Sequence, residues 1–150
     1  MRRIAALLVL LTPACSGLRT NDPLMDDVLT RESSFFSRLR CITVSSRTHV
    51  FLPDRQGPPE MLEPQKIRDP EARRAAEAIA TKWNEAESTT LRNIGKTING
   101  RCPIAIARPV RSGRFAFVTF SGPSAKIGAY VYHRMGGAWE YVEEVRLGFW

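Results

Sequence analysis

The stretch KIGAYVYHRMGGAWEYVEEVRL, residues 126–147, decides the predicted fold. Apolar and polar residues alternate on both sides of Gly136-Gly137, which is the pattern of two half-buried strands joined by a tight turn. Two glycines suit a two-residue hairpin turn, because both central residues of such a turn can have positive φ. Counting outward from this turn places Met135 opposite Ala138, and the rest of the register follows.

This register assigns each side chain of the predicted hairpin to one of two faces, because neighbours along a strand point to opposite sides. It also places Tyr132 opposite Tyr141 and Val131 opposite Val142. One face, which we expect to lie on the core, carries Tyr130, Tyr132, Trp139, Tyr141 and Val145. The other face carries Ala129, Val131, His133, Glu140, Val142 and Glu144.

His133 lies opposite Glu140 in the same register. A carboxylate beside a histidine orients the ring and supports its charged form, so the pair is a weak candidate for general acid and base catalysis. The interpretation we favour is an ion pair on a solvated sheet face. The other histidine, His49, has no cysteine or histidine at ligand spacing, so no metal site is predicted.

Turn residues at Ser112-Gly113 and Gly122-Pro123 divide the preceding sequence into further strands. With the hairpin they predict a four-strand antiparallel meander over residues 104–108, 114–120, 126–133 and 138–147.

Three arginines flank the first of these turns, namely Arg108, Arg111 and Arg114. Guanidinium groups on one loop can bind phosphate or carboxylate groups bidentately. Solvated loop charge is the alternative interpretation. We take the three residues as the candidate site for an anionic ligand or partner.

A long amphipathic helix is predicted before the meander. Asp69-Pro70-Glu71 supplies a cap, a helix-starting proline and an acidic first turn. Asn99-Gly100 ends the helical pattern. A bend is expected near residues 88–90, because this segment contains two threonines, whose side chains are β-branched. The apolar stripe consists of Ala72, Ala76, Ile79, Trp83, Ala86, Leu91, Ile94 and Ile98.

Shorter elements precede this helix. A first helix is predicted from Pro23, capped by Asp22, with an apolar stripe that continues to Leu39. In residues 41–52, apolar and polar residues alternate with the period of a β-strand. This pattern predicts either one bulged strand or a short hairpin. The proline-rich residues 53–70 predict an extended loop.

The predicted order is helix, strand, long helix and four-strand meander. It is an α+β fold in which the long helix packs on a curved antiparallel sheet. This order resembles the cystatin and NTF2-like rolls, in which a curved sheet wraps a helix. Residues 108–114 lack the Gln-x-Val-x-Gly motif by which cystatins engage proteases, so protease inhibition is not expected.

The N-terminal residues have the three parts of an export signal, with Arg2-Arg3 followed by apolar residues 4–11 and then small residues. Ala14-Cys15-Ser16-Gly17 resembles the junction of a bacterial lipoprotein signal, which implies cleavage before Cys15 and lipid attachment to it. Ordinary secretion with cleavage near the same bond is the alternative. We expect a signal peptide over residues 1–14, a tether over 15–22 and a single α+β domain over 23–150.

The chain has three cysteines, an odd number for an oxidising compartment. If Cys15 carries lipid or is removed with the signal, Cys41 and Cys102 remain and are expected to form a disulfide. Two buried free thiols are the alternative.

The net charge of +7 favours anionic contacts. For an exported protein, we expect acidic lipid headgroups, cell-wall polymers or an acidic protein rather than nucleic acid as partners. The sequence has no glycine-rich phosphate loop and no Gly-x-Ser-x-Gly motif, and no cofactor is predicted.

The function expected from these features is a non-enzymatic binding or interaction module of the bacterial cell envelope, lipid-anchored to a periplasm-facing membrane. One alternative is a small NTF2-like periplasmic enzyme, a hydrolase or isomerase that uses His133 and Glu140. Another is an envelope assembly subunit whose C-terminal residues 147–150 pack on a partner.

Overall fold

A computed structural model describes residues 19–32, 41–45, 64–83, 91–97, 100, 102–122 and 127–148. The predicted signal peptide, Cys15 and His49 lie outside these residues. The described part of the chain is an α+β arrangement of two α-helices, a short 3-10 helix at Pro64–Lys66 and seven strands.

Helix α1, Pro23–Arg31, begins where the sequence predicts. Asp22 is its N-cap, and Oδ1 of Asp22 accepts hydrogen bonds from the backbone N–H of Leu24 at 2.9 Å and of Met25 at 3.4 Å. The predicted continuation of the apolar stripe beyond Glu32 lies outside the described residues. The buried face of α1 consists of Leu24, Met25, Val28 and Leu29.

The strands are β1 Cys41–Ser45, β2 Leu91–Gly95, β3 Ala105–Ala107, β4 Val110–Ser112, β5 Phe115–Ser121, β6 Ile127–Met135 and β7 Ala138–Gly148. They form one sheet in the order β2-β1-β3-β5-β6-β7, and β4 pairs with β5 outside this path. The four strands predicted after residue 100 are therefore present, and β4 is an additional strand before the first predicted turn.

The sheet is mixed, which corrects the expectation of a wholly antiparallel sheet. β1 pairs antiparallel with β2 and parallel with β3. Because β2 occupies one edge of β1, the chain returns past β1 and β3 pairs along its other edge. The backbone N–H of Thr43 donates to the carbonyl of Ile104 at 2.8 Å where this parallel pairing begins.

Helix α2, Pro70–Trp83, also begins as predicted. Oδ1 of its cap, Asp69, accepts from the backbone N–H of Glu71 at 2.9 Å and of Ala72 at 2.8 Å. The prediction that one helix continues to Ile98 was wrong, because residues 91–95 form β2. The spacing of the apolar residues there suits a helix locally, but pairing with β1, with Ile94 opposite Ile42, decides the structure.

The β6–β7 hairpin turns at Gly136-Gly137, where both glycines have positive φ. The predicted register holds from Met135 opposite Ala138 to Tyr132 opposite Tyr141. A β-bulge then shifts it by one residue, so that Val131 lies opposite Glu143 and not opposite Val142. The shift moves Val145 to the face of Ala129 and places Glu144 opposite Tyr130, which corrects both predicted faces.

Two buried clusters lie on opposite faces of the sheet. The first joins α1 to side chains of alternating strand residues, among them Ile42, Ile106, Val118, Phe120, Tyr130 and Tyr132. The second joins Ile67 and the α2 residues Ala72 and Ala76 to strand residues of the other parity, among them Phe117, Val131 and Val145. Each face is therefore covered by its own helix, and α2 is shorter than the long helix that was predicted to pack on the sheet.

Cys41 and Cys102 are paired, with their Cα atoms 5.2 Å apart, which is within the range of a disulfide. They connect the start of β1 to the segment that leads into β3. The predicted pairing is therefore supported by the positions of the two residues. Among the described residues, no helix is long and apolar enough to cross a bilayer.

Candidate functional site

The three predicted arginines lie along β4 and its flanking turns, but their side chains go to different places. Arg111 is opposite Ala116, a residue of the α1-side cluster. Its Nη2 lies 3.6 Å from Oδ2 of Asp22, the N-cap of α1. The Arg111 side chain is 52% exposed, so this contact leaves much of the guanidinium accessible.

Arg114 turns toward the other helix. Its Nη2 lies 3.4 Å from Oε2 of Glu71 in the first turn of α2, and its side chain is 68% exposed. Arg108 is exposed in the connection between β3 and β4, three residues before Arg111. The structure thus places Arg111 next to α1 and Arg114 next to α2, and does not bring the three arginines together on one loop tip.

The turn between β4 and β5 and the turn between β6 and β7 lie at the same end of the sheet. Phe115 pairs with His133, and the backbone N–H of Arg134 donates to the carbonyl of Arg114 at 2.7 Å. This contact adds Arg134, which sequence reasoning missed, to the arginines near the first turn.

Two of these guanidinium groups lie near one indole ring. The Cζ atoms of Arg111 and Arg134 each lie 5.9 Å from the centroid of Trp139. Trp139 is partly buried against the α1-side cluster, which fixes the ring. Guanidinium groups at this distance gain from the ring's negative face while their N–H donors stay available. We call the set Arg111, Arg114, Arg134, Met135 and Trp139 the hairpin end.

The exposed guanidinium groups of the hairpin end have N–H donors available for an anion. Each ion pair to Asp22 or Glu71 uses one nitrogen of a group that has five N–H donors. Exposed ion pairs contribute little free energy, so an external phosphate or carboxylate can compete with them. Arg134 and Arg108 have no acidic partner among the described side chains.

His133 and Glu140 are opposite each other, as predicted. The imidazole stacks on Phe115, with ring centroids 4.8 Å apart, and Glu140 is exposed. Within the described part of the chain, no hydrogen bond joins the two, and the buried Nε2 of His133 has no partner. No carboxylate among the described side chains therefore orients the imidazole for proton transfer.

A row of tyrosines attaches the second half of α1 to the sheet. The hydroxyl of Tyr132 donates to Oδ2 of Asp27 at 2.8 Å, and the hydroxyl of Tyr130 donates to Oε1 of Glu32. Burial and then the hydrogen bonds to these carboxylates raise the pKa of both tyrosines well above the usual value. Burial also raises the pKa of Tyr141, the third tyrosine.

Glu143 makes a structural contact with the start of α2 that the predicted register did not reveal. Its buried Oε1 accepts from the backbone N–H of Arg68 at 2.9 Å and of Asp69 at 3.0 Å, just before α2. Oε2 lies 3.2 Å from Nε of Arg68. The bulge directs Glu143 to this face, so a register counted from the turn alone could not identify it.

No protein-family model, curated protein or solved structure matches this chain. Within the described residues, no group of three or more histidine, cysteine or acidic side chains could hold a metal ion.

Proposed function

We propose that the protein is a non-enzymatic binding module of the bacterial cell envelope, anchored by a lipid on Cys15, that contacts anionic groups through Arg108, Arg111, Arg114 and Arg134. The observation that carries the proposal is the pair of exposed guanidinium groups held 5.9 Å from the Trp139 ring. Fixed guanidinium groups lose less side-chain freedom on binding than mobile ones.

The proposed location at a periplasm-facing membrane is supported by the N-terminal sequence. Residues 1–17 resemble a lipoprotein signal, and the positions of Cys41 and Cys102 suit an oxidising compartment. Mass spectrometry of the purified N-terminus tests this part. A lipid-modified Cys15 as the first residue supports the proposal, and an unmodified cysteine or another start contradicts it. The proposal does not depend on the cystatin or NTF2-like roll, which stays a prediction.

Anion binding is tested with a fluorescent soluble polyphosphate titrated into the full chain, followed by anisotropy. We expect substitution of Arg108, Arg111 and Arg114 by glutamine to weaken binding and to flatten its dependence on salt. The matched control is Arg92→Gln, which removes an exposed arginine at the opposite edge of the sheet.

The same experiment separates binding from the enzymatic alternative. His133→Ala should leave polyphosphate affinity unchanged, because its imidazole stacks on Phe115, a residue of the cluster that contains α2. If the triple glutamine variant binds polyphosphate normally and His133→Ala loses a measurable turnover, the binding proposal is wrong and the enzymatic alternative replaces it.

A further inference from the structure

The hairpin end combines arginines with exposed apolar side chains. Met135 is 53% exposed beside the turn, and Gly136, Gly137 and Ala138 complete an uncharged tip. Arg134 and Arg114 flank this tip, and Trp139 lies directly opposite Arg134. Apolar and tryptophan side chains with arginines beside them suit the boundary between lipid headgroups and acyl chains.

The start of α1 lies at the same place. The contact between Asp22 and Arg111 brings the start of α1 to the hairpin end. Only seven residue steps separate Asp22 from Cys15 in the sequence, which reach roughly 25 Å when fully extended. A lipid on Cys15 would therefore hold the hairpin end, and not the far end of the sheet, close to the bilayer.

From these two observations we infer that the hairpin end rests on the surface of an anionic lipid bilayer. Arg111, Arg114 and Arg134 contact lipid phosphates, and Met135 and Trp139 enter the headgroup region. The inference rests on the proposed function and names its partner. Basic side chains gain free energy near an anionic leaflet, and this gain falls within a Debye length of the surface.

The contact is tested by quenching tryptophan fluorescence with brominated lipids. The full chain, expressed so that Cys15 carries no lipid, is mixed with vesicles that contain brominated phosphatidylglycerol, and in parallel with vesicles of brominated phosphatidylcholine. We expect strong quenching on the anionic vesicles and weak quenching on the neutral ones. Raising the salt concentration to about 1 M should reduce the quenching, because the Debye length then falls to about 3 Å.

Two variants assign the signal to the hairpin end. Trp139→Phe should lose most of the quenching, although the chain keeps its other tryptophans. The combined substitution of Arg111, Arg114 and Arg134 by glutamine should lose it as well, whereas Arg92→Gln should quench like the wild type. Circular dichroism of each variant reports that it is folded.

Equal quenching in wild type and Trp139→Phe, or equal quenching on anionic and neutral vesicles, would overturn the inference. If polyphosphate still binds the full chain in that case, the proposed function stands and only the bilayer contact is wrong. If polyphosphate binding is absent as well, both are wrong.

Discussion

The N-cap of α1 is also the partner of Arg111: Oδ2 of Asp22 lies 3.6 Å from Nη2 of Arg111 in β4. The other oxygen of the same carboxylate caps the helix. Asp22 therefore couples the start of α1 to the hairpin end. As an exposed ion pair contributes little free energy, an external anion can compete with Asp22 for Arg111.

Two substitutions at Asp22 separate capping from charge. Asp22→Asn keeps a capping oxygen, so the free energy of unfolding should change little, while Asp22→Ala should lower it by about 1 kcal/mol. Both variants remove the competing carboxylate, and polyphosphate affinity should rise about two- to fivefold in each. Urea unfolding and anisotropy measure the two effects. Unchanged affinity in both variants would show that Arg111 takes no part in anion binding.

Removal of the Glu143 carboxylate should destabilise the start of α2. Glu143→Ala leaves two backbone N–H groups without their acceptor and should lower the free energy of unfolding by about 1–3 kcal/mol. Glu143→Gln keeps one acceptor oxygen and should cost less. Glu140→Ala, at an exposed position of the same strand, is the control and should stay within about 0.5 kcal/mol of the wild type. A loss in Glu140→Ala as large as in Glu143→Ala would refute the capping interaction.

Because of the three tyrosines, we predict that the folded chain loses stability at alkaline pH. The pKa of each tyrosine is raised in the folded state, chiefly by burial, so the unfolded state loses its protons first as the pH rises. The stabilisation is complete below the unfolded pKa of about 10 and decreases above it. We expect the free energy of unfolding to fall above about pH 10, and the tyrosinates of the buried Tyr130 and Tyr132 to appear only as the chain unfolds. Formation of more than one tyrosinate near pH 10 in a chain that keeps its native circular dichroism would contradict this prediction.

The pairing of Cys41 with Cys102 should contribute strongly to stability, because it closes a sequence separation of 61 residues. In the chain-entropy model, the loss of such a cross-link costs about 4 kcal/mol. The double variant Cys41→Ala and Cys102→Ala should therefore unfold at a markedly lower temperature, and the wild type should show no reactive thiol at either position. Two titratable thiols at these positions in the unreduced protein would exclude the disulfide.

The local signals in the sequence were reliable where a few neighbouring residues decide the structure. Asp22-Pro23 and Asp69-Pro70 begin helices, and Gly136-Gly137 forms the expected turn, because capping and positive φ are local requirements. The strand at residues 91–95 was mistaken for helix, because its pairing with β1 joins residues far apart in the sequence.

The candidate site was predictable only in part, for a related reason. The turn at Gly136-Gly137 already places Arg134 opposite Trp139. The approach of Arg111 to the same ring depends on the pairing of β4 with β5 and of β5 with β6, which no single hairpin specifies. The bulge that buries Glu143 leaves no signal in the alternation of the strand.

The most direct test of anion binding at the hairpin end is to follow the side-chain Nε–H resonances of the arginines by NMR while soluble polyphosphate is added to the full chain. We predict concentration-dependent shifts for Arg108, Arg111, Arg114 and Arg134. Arg92 should not shift, and neither should Arg73, whose Nε already donates to the carbonyl of Ile67 at 2.9 Å. Uniform small shifts at all arginines, or no shift at the hairpin end, would contradict the proposed function.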